Sequence, residues 1–343
     1  MNQIAIIKEL PPPEQFGRLG IRFLPRYWHK AQLKKNGLLE QSAFQEEWSL
    51  DNAFLAALGL GLEQTIIQVY LHSQSQEDFE NWIESTIQLD DLKDRINAFN
   101  DVIINGQEKA SAALTENIFS AKEWKCWEEN GYVIIRNAIS PEDANATVKL
   151  ICEHIQIDPD DRTTWYDPHP SRQGIMIQLF QHEQLEKNRN SERIRNAFEQ
   201  LWGRKDIYVN TDRVGFNPPE TATWKFPGPR MHWDVSLQLP IPFGLQGILY
   251  LKDTAGNQGA FTLVPGFHHK LEAWLASLPP GTDPRKQNIE ELGPVPISAN
   301  AGDFIIWHQA LPHGSSPNHS NLPRYVQYFT YAPLDQEHRE KWI

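Results

Sequence analysis

The chain has 343 residues, 40% of them hydrophobic and 11% aromatic, which is enough for one large domain or two of ordinary size and excludes a globally disordered chain. Its net charge of −12 excludes generic binding to nucleic-acid backbones, which requires clustered Lys and Arg. Cys126 and Cys152 are the only cysteines, too few for a disulfide framework, and no apolar run approaches the ~20 residues of a membrane span, so a cytoplasmic setting is expected. The opening Met1–Glu9 lacks the charged and apolar regions of an export signal.

Charge divides the first hundred residues. Residues 1–39 carry seven Lys and Arg against two Glu, whereas residues 40–101 carry thirteen Asp and Glu against Lys93 and Arg95. Helical spacing runs through Leu55, Leu58, Leu62, Ile66 and Val69, again over Ser75 to Ile87, and again over Asp90 to Val102. Residues 1–110 therefore read as an acidic helical region, expected to form a layer on the rest of the chain. Its surface is also the expected place for a homo-oligomer contact or a protein partner. Residues 106–119, small and polar, read as a connector.

Ser120 and Glu123 form a capping box for a helix ending at Gly131, Tyr132–Ile135 reads as a strand, and Ser140-Pro141 starts a helix that runs to about Ile155. Met176 to Phe180 is a further candidate strand. Beyond residue 203 the pattern turns to short strands separated by turn residues. They are Ile207–Val209, Gly247–Leu251, Phe261–Val264, Asp303–Trp307 and Tyr325–Tyr331. That rhythm suggests a β sandwich or barrel, such as a jelly roll, over residues 120–343.

Arg230-Met231-His232-Trp233-Asp234 contains His-x-Asp. On a strand, residues two apart share a face, so His232 and Asp234 would be presented together while Trp233 points into packing. An imidazole and a carboxylate are two legs of a 2-His-1-carboxylate site, which leaves open positions on Fe(II). His308 and His313 both follow the Asp303–Trp307 strand and can supply the second imidazole. Only His313, 81 residues after His232, sits two residues before Ser315 and 11 before Arg324. A guanidinium there can hold a carboxylate bidentately, and a serine hydroxyl can add a hydrogen bond.

These features together resemble the phytanoyl-CoA dioxygenase family of Fe(II)/2-oxoglutarate oxygenases. The resemblance spans roughly residues 120–335. It runs through Asn130-Gly131-Tyr132-Val133-Ile134-Ile135, His232-Trp233-Asp234, Val264-Pro265-Gly266-Phe267-His268, Pro312-His313-Gly314-Ser315 and Pro323-Arg324. It implies a mainly β fold with helices, a double-stranded β-helix (jelly roll, cupin-like) with supporting helices, preceded by the helical N-terminal region. It implies iron ligation by His232, Asp234 and His313, and 2-oxoglutarate held by Arg324 and Ser315. The implied activity uses O₂ to hydroxylate an aliphatic C–H of an amino acid, acyl thioester or secondary metabolite, releasing succinate and CO₂. Related halogenases replace the carboxylate by a small residue, so Asp234 favours hydroxylation.

Phe267 stands where the family commonly has Ser, and the long N-terminal region has no counterpart in minimal members. Gln178, Arg213, Arg230 and Trp307 are candidate substrate contacts, with Trp165 and Tyr166 as further pocket candidates. His268 and His269 are expected to be structural, and His154, His169, His182 and His319 to be surface or supporting groups. The alternative reading is a non-catalytic jelly-roll protein that senses 2-oxoglutarate or iron and docks a partner. An iron oxygenase needing no 2-oxo acid is disfavoured by Arg324.

Overall fold

Five α-helices are described before residue 106, α1 (Leu24–Lys35), α2 (Trp48–Ala57), α3 (Leu62–Ile67), α4 (Gln76–Thr86) and α5 (Leu92–Asn105), with a π-helical turn at Gln68–His72 following α3. The computed structural model describes residues 10–39, 47–87, 90–105, 117–339 and 341–343; the opening Met1–Glu9 and most of the expected connector, residues 106–116, lie outside them. Ser75 caps α4, its hydroxyl accepting from the Asp78 amide at 3.1 Å while Asp78 accepts from the Ser75 amide at 3.0 Å. The apolar spacing from Leu55 to Val69 does not make one helix. The chain leaves α2 at Gly59, whose φ of 63° is a left-handed conformation, and restarts at Leu62. Phe23, Tyr27, Phe54, Phe79 and Phe99 give this layer a buried core of its own.

Polar contacts fasten this layer to the remainder of the chain. Gln181 Nε2 donates to the Gly59 carbonyl at 2.9 Å, Tyr208 Oη to the Ser49 carbonyl at 3.3 Å, and Ser49 Oγ to the Gln336 carbonyl at 2.9 Å.

From residue 117 the expected boundaries recur. The Ser120–Glu123 capping box opens α6 (Ala121–Asn130), β1 is Tyr132–Ile135, and Ser140 caps α7 (Pro141–His154). Then come β2 (Arg172–Gln173), β3 (Met176–Ile177), α8 (Glu183–Arg189), α9 (Glu192–Trp202), β4 (Ile207–Val209), β5 (Val214–Asn217), β6 (Leu245–Tyr250) and β7 (Phe261–Leu263). The last elements are α10 (Leu271–Ser277), β8 (Val295–Pro296), β9 (Phe304–His308), β10 (His313–Ser315), β11 (Arg324–Tyr328) and β12 (Tyr331–Pro333).

One sheet has the order β1-β9-β6-β11-β5-β3-β2, a second β10-β7-β8, and a third pairs β12 with β4; every ladder is antiparallel. Alternation along the large sheet sets its two faces. Leu249, Phe304, Ile306 and Tyr325 pack with Ile151 of α7 and Phe198 of α9. Ile248, Tyr250, Ile305, Trp307 and Val326 pack with Phe261 and Leu263 of the second sheet. Residues 325–331, expected as one strand, split in two. Asn210 Oδ1 accepts from the Thr330 amide at 2.7 Å, and Thr330 Oγ1 donates to the Leu245 carbonyl at 3.0 Å, which turns the chain out of the large sheet into β12. Met176–Phe180 contributes only its first two residues to a strand, β3, which pairs with β5.

Candidate metal centre

His232 and Asp234 lie on an extended segment, not in the regular strand expected of them. Pro227 and Pro229 before it and Pro240 and Pro242 after it have no amide hydrogen to give a ladder. The segment is instead fixed by a bridge in which the His232 amide donates to the His313 carbonyl at 2.8 Å and the His313 amide returns 3.0 Å to His232. That bridge sets the two histidines opposite each other, with ring centroids 4.8 Å apart. Its closeness needs Gly314, because a Cβ there would lie 2.7 Å from the Arg230 carbonyl oxygen. On its other edge β10 pairs with β7, His313 opposite Leu263, so the second sheet holds the distal histidine.

The third group converges on the same point. Asp234 Oδ1 is 3.3 Å from His232 Nε2, its Oδ2 is 3.2 Å from His313 Nε2, and the three donor atoms all lie within 4.8 Å of one another. Each imidazole uses Nδ1 elsewhere, His232 on the Arg230 carbonyl at 2.7 Å and His313 on the Leu311 carbonyl at 3.1 Å. A carbonyl only accepts, so each Nδ1 carries the proton and each Nε2 presents a lone pair when the ring is neutral. Two such nitrogens around one carboxylate require positive charge between them, either as two added protons or as one metal ion. Bonds of ~2.1 Å at right angles would set donors ~3 Å apart, close to the separations from Asp234 seen here. The donor set fits a divalent first-row metal.

The electrostatics follow from that crowding. Burial disfavours the charged form of His232, but hydrogen bonding and attraction to Asp234 outweigh it and leave its pKa raised. Burial pushes the Asp234 carboxyl up, and the two imidazoles pull it far below the usual carboxylate range. Gln246 of β6, which the sequence reading missed, links the carboxylate to the sheet. Its Nε2 donates to Asp234 Oδ2 at 2.8 Å, and its Oε1 accepts from Trp307 Nε1 at 3.0 Å. The signal was a lone amide in an otherwise apolar strand, on the face shared with Ile248 and Tyr250.

Arg324 opens β11 and is fully buried. Its Nη1 donates to Ser315 Oγ at 3.1 Å and its Nη2 to Tyr328 Oη at 3.4 Å, while Nε has no partner. Among the described residues no carboxylate pairs with this guanidinium. A buried cation without a counter-charge is expensive, and a carboxylate ligand would supply what it lacks. Tyr328, also missed, is four residues from Arg324 on the same strand and so shares its face.

A cleft of about 330 Å³ joins these groups, lined by His232, Asp234, His313, Ser315, Gln246 and Trp307 among others. Of the expected substrate contacts, Trp307 and Arg213 line it. Gln178 does not: its Nε2 is engaged by Gln173 Oε1 at 3.0 Å and its amide by the Ser171 carbonyl at 2.8 Å. The Arg230 side chain is exposed and away from the lining, and its role in the site is the carbonyl that receives His232 Nδ1. Trp165 is buried with Nε1 on the Asp158 carbonyl, and Tyr166 Oη bonds the Pro219 carbonyl, so neither reaches the cleft. Trp233 packs away from the metal corner, as its alternation requires, against Phe267 and Trp274. His308, the rival ligand, stacks with His268 and stands near Phe243 and Trp127, outside the cleft.

The profile described as phytanoyl-CoA dioxygenase (PhyH) matches residues 127–326, a stretch that runs from α6 through all three donors to Arg324. The chain belongs to the phytanoyl-CoA dioxygenase family. It is thus an oxygenase of the Fe(II)/2-oxoglutarate class, and the donors and buried guanidinium above suit both groups. A putative phytanoyl-CoA dioxygenase of Dictyostelium discoideum is 27% identical over 262 residues, covering 61% of this chain and 74% of the relative. The peroxisomal phytanoyl-CoA dioxygenase of Rattus norvegicus is 25% identical over 238 residues, covering 62% and 68%. Among solved structures, EctD from S. alaskensis with bound Fe matches at 19% identity and a TM-score of 0.47, covering 67% of this chain and 82% of that one. The N-terminal helical layer lies outside the family match.

Among the described residues no helix is long and apolar enough to cross a membrane.

Proposed function

We propose that the chain is a 2-oxoglutarate-dependent dioxygenase that hydroxylates an aliphatic C–H of a small organic substrate. In this reading residues 120–343 form a jelly-roll catalytic domain and residues 1–110 an acidic helical N-terminal region. His232, Asp234 and His313 hold Fe(II), and Arg324 with Ser315 holds the distal carboxylate of 2-oxoglutarate. The observation that carries the reading is the pair of Nε2 atoms turned onto one carboxylate, each oriented by its own Nδ1 bond to a carbonyl.

When bound, iron and 2-oxoglutarate supply the O₂-dependent oxidising chemistry, with succinate and CO₂ as co-products. The protein's part is placement and exclusion of water. Gln246 holds the Asp234 carboxylate in one rotamer. Arg324 donates to Ser315 and Tyr328 and offers positive charge to a carboxylate. Phe261 and Trp307 pack with ring centroids 4.3 Å apart beside His313 and keep an apolar wall against it. Asp234 fills the position that halide chemistry would need open, which supports hydroxylation.

The test is succinate release from 2-oxoglutarate over a panel of amino acids, acyl thioesters and secondary metabolites, paired with anaerobic Fe(II) titration. His232→Ala and Asp234→Ala are expected to lose substrate-dependent succinate and roughly 100-fold or more in metal affinity. Wild-type turnover in either variant would remove the ligand assignment.

A further inference from the structure

Arg213 is the arginine in the lining of the cleft itself, and its surroundings differ from those of Arg324, which is buried beside the lining residues Ser315 and Tyr328. It precedes β5 and lines the cleft. Its Nη1 pairs with Glu63 and its Nε lies 3.4 Å from Asp212 Oδ1. No described residue takes the Nη2 hydrogens. Glu63 belongs to the first turn of α3, in the N-terminal layer, not to the stretch matched by the family profile.

The placement of Glu63 is built into the fold. Gly61 forms a parallel bridge with Thr211, two residues before Arg213. A Cβ at Gly61 would sit 2.4 Å from the Phe180 ring, so α3 is pressed against the catalytic unit as closely as glycine permits. Gln64 and Gln181 join the same seam, and Gln181 reaches back to the Gly59 carbonyl at 2.9 Å. The N-terminal layer therefore supplies one charged side chain to the rim of the cleft, and that side chain is matched to Arg213.

We propose that Arg213 binds a carboxylate of the substrate, that Glu63 competes for the same guanidinium, and that the substrate is a small carboxylic acid. The inference rests on the oxygenase reading above. A planar fork of N–H donors suits a carboxylate, and of the two internal carboxylates on this guanidinium, Glu63 at Nη1 and the looser Asp212 at Nε, an incoming one can replace Glu63. Arg324 is reserved by its position beside Ser315 for the co-substrate, so the two arginines divide two carboxylates between them. Size points the same way. A cleft of about 330 Å³ is at the small end of ligand sites and has to hold 2-oxoglutarate as well. What remains inside the cleft suits a molecule of amino-acid size.

The experiment uses the full chain loaded with Mn(II). Affinity for 2-oxoglutarate is measured first by calorimetry, in wild type, Arg213→Leu and Glu63→Gln. All three are expected to bind it alike. A panel of small carboxylic acids, including amino and hydroxy acids, is then screened with each acid beside its carboxamide, together with small phosphate esters.

Wild type is expected to bind one or more acids and reject the matching amides. Arg213→Leu should lose about 10- to 100-fold of that affinity, and Arg213→Lys should recover part of it. Glu63→Gln should bind the acid about 2- to 5-fold more tightly, because the competing ion pair is partly exposed and weak. Three outcomes overturn the proposal while 2-oxoglutarate still binds: acids and amides bind equally, only phosphate or neutral compounds bind, or Arg213→Leu keeps the discrimination. Failure of wild type to bind 2-oxoglutarate at all would instead remove the oxygenase reading, and the substrate assignment with it.

Discussion

In the N-terminal layer Lys30 is 1% exposed and its ammonium meets two carboxylates, Asp51 Oδ1 at 2.5 Å and Glu47 Oε2 at 2.9 Å. In the catalytic unit Arg324 is 0% exposed and meets two hydroxyls and no carboxylate among the described residues. Both are long cations fully withdrawn from water, and both stand beside an apolar core. The difference is where the counter-charge comes from. A buried charge balanced within the chain is part of the structure. A buried charge left unbalanced, beside two imidazole nitrogens that also lack a partner other than Asp234, is a place for something from outside. The same contrast separates Arg189, buried against Glu186 and two carbonyls, from Arg324.

That contrast predicts opposite consequences for removing each cation. Lys30→Met leaves the buried Asp51 without its ammonium, while Glu47 keeps Arg26, and is expected to destabilise the fold by ~3–5 kcal/mol, measured by urea unfolding, while Mn(II) affinity stays as in wild type. Arg324→Leu removes a cation with no carboxylate partner among the described residues. It is expected to leave the melting temperature of the 2-oxoglutarate-free protein unchanged or higher, and to weaken 2-oxoglutarate binding by about 100-fold. In wild type, saturating 2-oxoglutarate should raise the melting temperature, and in Arg324→Leu that rise should disappear. A loss of stability in Arg324→Leu as large as in Lys30→Met would make the arginine structural and dissolve the distinction.

A smaller effect is expected one contact further out. Gln246→Leu removes the donor to Asp234 Oδ2 and the acceptor for Trp307 Nε1 while leaving all three donors in place. Metal affinity should fall about 10-fold, read from Mn(II) titration by electron paramagnetic resonance. An unchanged affinity would mean that the two histidines alone orient the carboxylate.

The donors and the arginine could be read from the sequence because each is a spacing rule. Asp234 comes two positions after His232, and Arg324 comes 11 positions after His313. The apolar runs of β6, β7 and β9 were readable for a related reason: strands buried on both faces are nearly continuous in hydrophobic residues. What failed was whatever depended on a partner far away in the chain. Gln246 matters only because Asp234 comes to rest against it, Gln178 was drawn to the site by residue type and is occupied by Gln173, and Glu63 reaches the rim across 150 residues. The strand expected at His-x-Asp failed locally, because the flanking prolines deny it a ladder while one bridge to His313 keeps both side chains on one side.

The least effect, and the one that extends the comparison to histidines, concerns acid. His268 and His308 stack at 5.4 Å, and burial lowers each to about 4, with neighbouring imidazoles adding to the shift. His338 is likewise lowered to about 4 by burial. These are rings the fold holds neutral, unlike His232, whose pKa Asp234 raises. A folded pKa below the ordinary value means that the unfolded chain takes the proton first on acidification. Their contribution is therefore complete above about pH 6.5 and is lost as pH falls toward 4. The melting temperature should drop between pH 6.5 and 4. His308 Nδ1 accepts from the Ala310 amide at 3.0 Å, a bond that the side-chain oxygen of asparagine can replace. His308→Asn should then flatten the acid slope without touching Mn(II) affinity at pH 7. If the slope is unchanged, the acid limb belongs to paired carboxylates such as Asp143, which Lys187 and Ser140 hold below its usual range against its own burial.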